Sequence, residues 1–347
     1  MKKLLYIGHD FHNKTKSTQF LQDLFAEKYK VEKFNFDPYN EDFSKFKQLK
    51  GKNYDVVILF QIMPSIKLLK KYIHWEHIAF FPMYDDSRDL DYPRWYEYKL
   101  CNIINFSRTL HKKCIDYGFS SYYIQYFPEP VQIENWGDEK SIFFWQRVEQ
   151  INPNVIEKLL NVKDINNLYL HDVPDPNQKS IEPSVNWDNK VIKSHWFDTK
   201  EDLINYIQKS AIYIAPREYE GFGNSYLDAM AQGRCVLAVN NPAMNEYIVD
   251  NYNGYLFDLN NLKHINLKNI RKIQENAYNY IKEGRIKWLK EKSKILDWIE
   301  VDPKIDNVKL IQKYFSIKKI IKTIFSITNS NCHKVITVLG IKVCIKK

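Results

Sequence analysis

The chain is short of the features that mark several common protein classes. Cysteine occurs five times in 347 residues, at Cys101, Cys114, Cys235, Cys332 and Cys344, with no Cys-x-x-Cys spacing. That offers no disulfide framework and points to a reducing compartment, so a cytoplasmic location is expected. No apolar run is long enough to cross a bilayer. The opening Met1-Lys2-Lys3-Leu4-Leu5-Tyr6-Ile7-Gly8 runs into a charged loop and reads as a first strand, not a signal peptide. Glycine (ten residues) and alanine are scarce, while Tyr, Phe, Lys, Ile and Asn are heavily used. That bias belongs to an AT-rich genome and carries little function. Net charge is nearly absent from most of the chain, where acids and bases balance. Residues 301–347 hold ten Lys against two Asp, a net of +8 out of +9 for the whole. The near-neutral body argues against nucleic-acid binding.

The length suits two domains. Short apolar runs at 3–7, 55–60, 78–81, 102–106 and 122–126 alternate with helical stretches at 18–28, 65–72 and 109–117, with Ser17 as the expected cap of the first. This is the pattern of a parallel sheet with crossover helices. Phe127-Pro128-Glu129-Pro130 and Asn135-Trp136-Gly137-Asp138 break it and mark a linker. The alternation restarts with strands at 141–145, 167–170, 190–193, 211–215 and 235–239 and helices at 154–160 and 201–210. A mostly helical stretch over 266–296 follows. The reading is α/β: domain one over 1–133, domain two over 139–300, and a basic tail over 301–347. In the tail, Ile317, Ile320, Ile321, Ile324 and Phe325 fall at helical spacing among lysines, which suits a helix on an anionic membrane surface or one packed on the body. Residues 333–347 alternate around Gly340 and suit a hairpin.

The most informative stretch is Arg217-Glu218-Tyr219-Glu220-Gly221-Phe222-Gly223-Asn224-Ser225-Tyr226-Leu227-Asp228-Ala229-Met230-Ala231-Gln232-Gly233. A strand, a glycine turn and a helix start offer free N–H groups and a positive dipole end to an anion. Asp228, one turn into the helix, cannot pair with phosphate but can accept hydrogen bonds from paired hydroxyls such as those of a ribose.

This run resembles the nucleotide-sugar site of the retaining GT-B glycosyltransferases of family four, whose signature is Glu, seven residues, Glu. Here Asp228 stands for the second acid. Cys235-Val236-Leu237-Ala238-Val239, Met244-Asn245-Glu246-Tyr247-Ile248-Val249 and Asn253-Gly254-Tyr255-Leu256-Phe257 resemble the family's following segments. The resemblance covers roughly 211–258. It implies two facing Rossmann-like domains, with the donor on the second and the acceptor on the first. The last helices would cross back to domain one. It further implies that the departing phosphate helps deprotonate the acceptor.

Candidate site residues follow. Glu220 would hold the donor sugar, Asp228 the ribose. Gly221, Phe222, Gly223, Asn224 and Ser225 would form the phosphate turn. The family places an Arg and, five positions on, a Lys after its first domain-two strand; here Arg147 is present but position 152 is Asn, leaving Arg217 as the expected substitute for the phosphate grip. His195 and Trp196, with Phe197, lie where the resemblance puts the base. The loop Gly8-His9-Asp10-Phe11-His12 would face the cleft, and Asp85, with Asp86 second, would contact the acceptor at a strand's carboxyl end. His9 and His12 lack partners for a metal site. Asp89-Leu90-Asp91 spells the metal motif of a different glycosyltransferase fold. The expectation is metal-independent transfer from a UDP- or GDP-sugar to a glycan or lipid-linked glycan, without a cofactor, in bacterial capsule or lipopolysaccharide synthesis. A sugar-nucleotide epimerase and a non-catalytic nucleotide-sugar-binding subunit are the alternatives.

Overall fold

The computed structural model describes residues 1–37, 43–309, 325–330, 333–338 and 341–346. Domain one begins with β1 (Lys2–Gly8), α1 (Phe11–Thr15), α2 (Gln19–Ala26), β2 (Tyr29–Asn35), β3 (Lys52–Phe60), α3 (Ile66–Leu69) and β4 (Ile73–Phe81). It continues through α4 (Tyr84–Ser87), α5 (Tyr92–Tyr96), β5 (Asn102–Asn105), α6 (Arg108–Asp116) and β6 (Ser121–Tyr123). Domain two contains β7 (Asp138–Gln146), α7 (Pro153–Leu159), β8 (Asn167–Asp172), β9 (Val191–Ser194), α8 (Lys200–Ile207) and β10 (Ser210–Ile214). After these come α9 (Asn224–Ala231), β11 (Cys235–Val239), β12 (Tyr255–Phe257), α10 (Ile270–Glu291) and α11 (Ser293–Trp298). The tail forms β13 (Phe325–Ser330), β14 (His333–Val338) and β15 (Ile341–Lys346).

Each domain is one six-stranded parallel sheet, in the orders β2-β1-β3-β4-β5-β6 and β12-β11-β10-β7-β8-β9. Two α/β sheets of this kind make the GT-B architecture. The central strands are apolar without alternation: β10 and β11 are buried along their whole length. A parallel sheet covered on both faces demands this. Strand order reverses between β1 and β3 in one sheet and between β7 and β10 in the other. Crevices at such reversals, beyond the strand carboxyl ends, are where ligands bind in open α/β sheets.

Several expected boundaries shift. β2 and β12 are strands that the sequence pattern did not reveal; β2 buries only Tyr29 and Phe34, with the charged Lys30, Glu32 and Lys33 between them. The first long helix starts at Gln19 behind Thr18, and Ser17 caps nothing: its hydroxyl meets the His12 ring at 2.8 Å. The helix at 65–72 shrinks to α3, capped by Ser65. Asn152, where the resemblance expects a lysine, is the cap of α7, its Oδ1 accepting from the N–H groups of Asn154 and Val155. Pro153 follows at the first helical position, where no N–H is needed. In the tail, positions 317–324 lie outside the described residues, and Phe325 opens β13 instead of continuing a helix. β13, β14 and β15 form an antiparallel sheet, so the expected hairpin gains a third strand. Its register aligns Phe325, Val338 and Ile341 in one row and Ile327, Ile336 and Val343 in another.

The domains meet through an aromatic cluster of Phe20, Phe106, Tyr126, Phe222 and Trp288, with Phe20 and Tyr126 stacked 3.9 Å apart. Gly284 lets α10 lie against the linker: a Cβ there would meet the Phe127 ring at 2.2 Å. Beyond α11 the chain returns to domain one, as expected. Glu300 accepts from Lys2, Lys28 and the Tyr29 hydroxyl at 3.0, 2.7 and 2.6 Å. Burial would raise its carboxyl pKa, but these three donors outweigh burial and hold it down at about 2.

Arg234 is fully buried, and its guanidinium donates to the carbonyls of Gln208, Ser210, Gln232 and Asn135. It ties the linker to β10. Removing it strands buried carbonyls, each of which then bears a desolvation cost. Arg234→Met is expected to cost about 3 kcal/mol of stability, read from the urea midpoint at unchanged slope.

Candidate functional site

The loops after β7, β10, β1 and β4 converge at the two strand-order reversals. Gly223 stands at the start of α9 with φ 82°, a left-handed conformation that favours glycine. A Cβ there would fall 1.8 Å from the Tyr226 ring. The turn delivers the chain into α9, whose first N–H groups have no acceptor within the helix.

Two guanidiniums lie beside this helix start, both held by one carboxylate. Arg147 donates from Nε and Nη2 to Asp175 Oδ1 at 2.9 and 2.7 Å. Arg217 donates from Nε to Asp175 Oδ2 at 3.0 Å, and from Nη2 to the same oxygen. Its Nη1 reaches toward Asp85 Oδ2, 3.8 Å away on the other domain. Burial alone would lower the Arg217 pKa; the charges of Glu220 and Asp175 outweigh it and hold it above its usual value. Glu220 is 7% exposed, and its Oε1 is buried without a hydrogen-bond partner. Burial raises its pKa against the pull of Arg217 and Arg147. Burial, and then the charges of Asp86 and Glu220, push the Asp85 carboxyl up to about 7, opposed by Arg217.

The sequence-derived residues therefore separate into groups. Glu220, Arg217, Arg147 and Asp85 come together. Asp228 opens onto a groove of about 610 Å³ bordered by Phe20, Tyr126, Glu201, Ile204 and Trp288. Trp196 is 48% exposed and His195 is exposed in the loop between β9 and α8. Phe197 stacks on His171 at 4.9 Å and packs on Tyr206. The Phe222 ring packs into the aromatic cluster between the domains, while its backbone lies in the turn between Gly221 and Gly223. Asn224 turns its amide to the Ser17 carbonyl across the cleft at 3.0 Å. Ser225 is partly buried at the helix start, and Gly221 packs against Met83 and Asp85. Gly8 ends β1, with its carbonyl accepting from Phe36 N–H. His9 accepts from Phe11 N–H and lies 3.8 Å from Asp37.

Asp175 and Gln61 carried no signal in sequence, while His12 and Glu246 were read only as parts of longer segments. Asp175 sits in irregular chain after β8. His12 bonds Ser17 Oγ and Gln61 Oε1, each at 2.8 Å, and the Gln61 amide donates to Asp86. Gln61 has φ 65°, a conformation costly for a side chain of its size. Glu246 crosses to domain one and accepts from Ser107 Oγ, Thr109 N and Thr109 Oγ1 at 3.0, 2.9 and 2.8 Å, and from Arg108 N at 2.5 Å. Its carboxylate thus sits at the start of α6. Among the described residues no group of three His, Cys, Asp or Glu could hold a metal. Asp91 caps α5 and Asp89 pairs with Arg88.

Residues 188–288 match the family model "Glycosyl transferases group 1". No curated protein matches the chain. Among solved structures, sucrose-phosphate synthase from Thermosynechococcus elongatus is 13% identical, with TM-score 0.54 over 93% of this chain and 100% of that one. A glycosyltransferase from Rickettsia africae is 12% identical, with TM-score 0.51 over 92% and 99%. These likenesses establish the fold. A TarM structure from S. aureus, in complex with fondaparinux, alpha-GlcNAc-glycerol and UDP, is 14% identical with TM-score 0.45 over 76% of this chain. This chain spans only 55% of its length.

The Asp85 carboxyl gives a pH signature. Folded, it keeps its proton to about pH 7; unfolded, it releases it near the usual carboxylate value of about 4. Between those limits the folded state binds more protons, so stability falls as pH rises. Asp85→Asn should flatten that slope. Urea unfolding at pH 5 and pH 8 tests this, and equal slopes in the two proteins would show that Asp85 is not the group responsible.

Proposed function

We propose that this protein transfers a sugar from a nucleotide-diphosphate sugar to a glycan or lipid-linked glycan, with retention at the anomeric carbon, in bacterial surface polysaccharide synthesis. The observation that carries the proposal is the pairing of Arg147 and Arg217 beside the α9 start, against the buried, unpartnered Oε1 of Glu220. In transfer, the bond between the donor's anomeric carbon and the phosphate oxygen breaks, and the electron pair leaves with the nucleotide diphosphate. Negative charge grows on that phosphate, where the two guanidiniums and the helix N-terminus stabilise it. The acceptor hydroxyl attacks from the same face, and its proton passes to the departing phosphate oxygen. Retention rests on the resemblance of the Glu220 and Asp228 spacing to the retaining family.

In this reading Glu220 orients donor-sugar hydroxyls and Asp228 holds the ribose within the groove beside it. Asp85 faces the acceptor hydroxyl. Trp196 and His195 border the base. UDP- and GDP-sugars both fit these contacts. Glu220→Gln should lower turnover by about tenfold to a hundredfold, the loss of a charged hydrogen bond. Asp228→Asn should chiefly raise the KM for the donor. Donor turnover, assayed in excess EDTA with and without a glycan acceptor, tests both and separates transfer from epimerisation or plain binding. Full activity in both variants removes the site assignment.

The tail suggests where the acceptor is met. Its lysines and the apolar rows of its small sheet fit an anionic membrane surface, each basic group contributing about 1 kcal/mol that salt screens. The protein would then be cytoplasmic and peripheral to the membrane. The full chain should sediment with anionic vesicles and release at high salt, and a folded truncation after Val301 should not sediment. Equal sedimentation of the two would remove the tail from this role.

A further inference from the structure

We propose that Asp175 is an internal stand-in for the donor's phosphate: its carboxylate occupies the Arg147–Arg217 pair in the free protein and yields the pair when a diphosphate binds. This rests on the reading of those arginines as an anion clamp. Each Asp175 oxygen takes one guanidinium through its Nε and Nη2 edge. A phosphate, with more oxygens to offer, can take the same N–H groups as parallel pairs, one oxygen for each. The site is thus already filled by an anion of the wrong kind.

Charge favours exchange over sharing. Two guanidiniums with Asp175 between them carry a net +1, and with Asp175 withdrawn +2. Asn152 caps α7 and adds no third cation. Glu220 and Asp85 stand nearby, so a diphosphate entering beside a retained Asp175 would share two arginines with three carboxyl groups. The chain around Asp175 permits withdrawal. Its main-chain ties are a donation to the Arg147 carbonyl at 2.9 Å and a turn bond from Gln178 at 3.0 Å. Rotation of its side chain breaks neither, and no strand or helix must unravel. The consequence is a clamp whose arginines stay paired and aligned when empty, and whose grip on the nucleotide-diphosphate product is weakened by a competitor held in place beside it.

The test uses inorganic pyrophosphate, which probes the arginine pair without sugar or base. Calorimetric titrations at fixed ionic strength would compare the full-length protein with Asp175→Asn, Asp175→Ser, Arg147→Met and the Asp175→Asn/Arg147→Met double variant. Both Asp175 variants should bind pyrophosphate about tenfold more tightly, equivalent to about 1.4 kcal/mol. The gain should disappear in the double variant, relative to Arg147→Met alone. A damaged fold cannot tighten binding, so a gain is unambiguous. Unchanged or weaker binding in both Asp175 variants overturns the proposal and makes Asp175 a residue that positions the arginines permanently. Absence of pyrophosphate binding in every variant overturns it as well. Because no sugar is involved, the result stands whether or not glycosyl transfer is observed, and transfer can be observed while this proposal fails.

Discussion

Two guanidiniums cannot lie side by side in a largely closed cleft without an anion between them. That constraint organises the centre of this molecule. Arg147 comes from the end of β7 and Arg217 from the loop after β10, the strands between which the order of the second sheet reverses. The reversal brings their side chains to one crevice, and Asp175 from the chain after β8 neutralises them. Arg217 then extends the charge chain to Asp85 in the other domain. Each acid nearby responds: Glu220 and Asp85 both hold protons more tightly than usual, because burial penalises their charge before the arginines relieve it.

The cleft keeps this shape because the domains are joined on both flanks. On one side the aromatic cluster around Phe20 and Trp288 removes a large apolar area from water. On the other, Glu246 reaches from domain two to the start of α6, where three N–H and hydroxyl donors of the helix end converge with a fourth on its two oxygens. A carboxylate at a helix N-terminus is stabilised by the dipole as well as by those bonds. Beside it the Tyr247 ring packs on Phe127 and its hydroxyl accepts from Tyr126 N–H at 3.2 Å, while the Glu300 cluster fastens the returning chain to β1 and β2.

Much of this was legible in the chain. The continuous apolar runs of β1, β7, β10 and β11 are what a doubly covered parallel sheet requires, and they placed both domains. The glycine turn at Gly223 and the acid at 220 pointed to the loop after β10, where the structure gathers Glu220, Arg217 and Arg147. What stayed hidden has a common cause. β2 is an edge strand whose residues alternate charge with bulk, so its sequence carries no core signature. Asp175 lies in loop, and no spacing relates it to residues 147 and 217. Phe197 looks like a base-stacking aromatic in sequence, but aromatic rings near a cleft are as useful to packing as to stacking, and here its ring packs on His171 and Tyr206. Gln61 belongs to an apolar strand end, and only the backbone reveals that it is twisted into a left-handed conformation.

That twist suggests how domain one compensates for its shortage of glycine. A glycine-rich loop after β1 would present bare N–H groups to a ligand. This chain has one glycine there, Gly8, followed by a loop whose side chains bond one another: Ser17 to His12, His12 to Gln61, Gln61 to Asp86. Burial lowers the His12 pKa, and the contact with Gln61 only partly offsets it, so the ring is neutral near pH 7. If its Nε2 carries the proton, each link has a defined donor: the Ser17 hydroxyl donates to Nδ1, Nε2 donates to the Gln61 carbonyl, and the Gln61 amide donates to Asp86. The strain at Gln61 is tolerated because its main-chain N–H, its amide and its carbonyl are all engaged. The first-domain wall is therefore built from oriented side chains, with carboxylates at its rim, and the second-domain wall from guanidiniums and a helix start. The two walls offer unlike chemistry: one suits hydroxyl groups, the other phosphate.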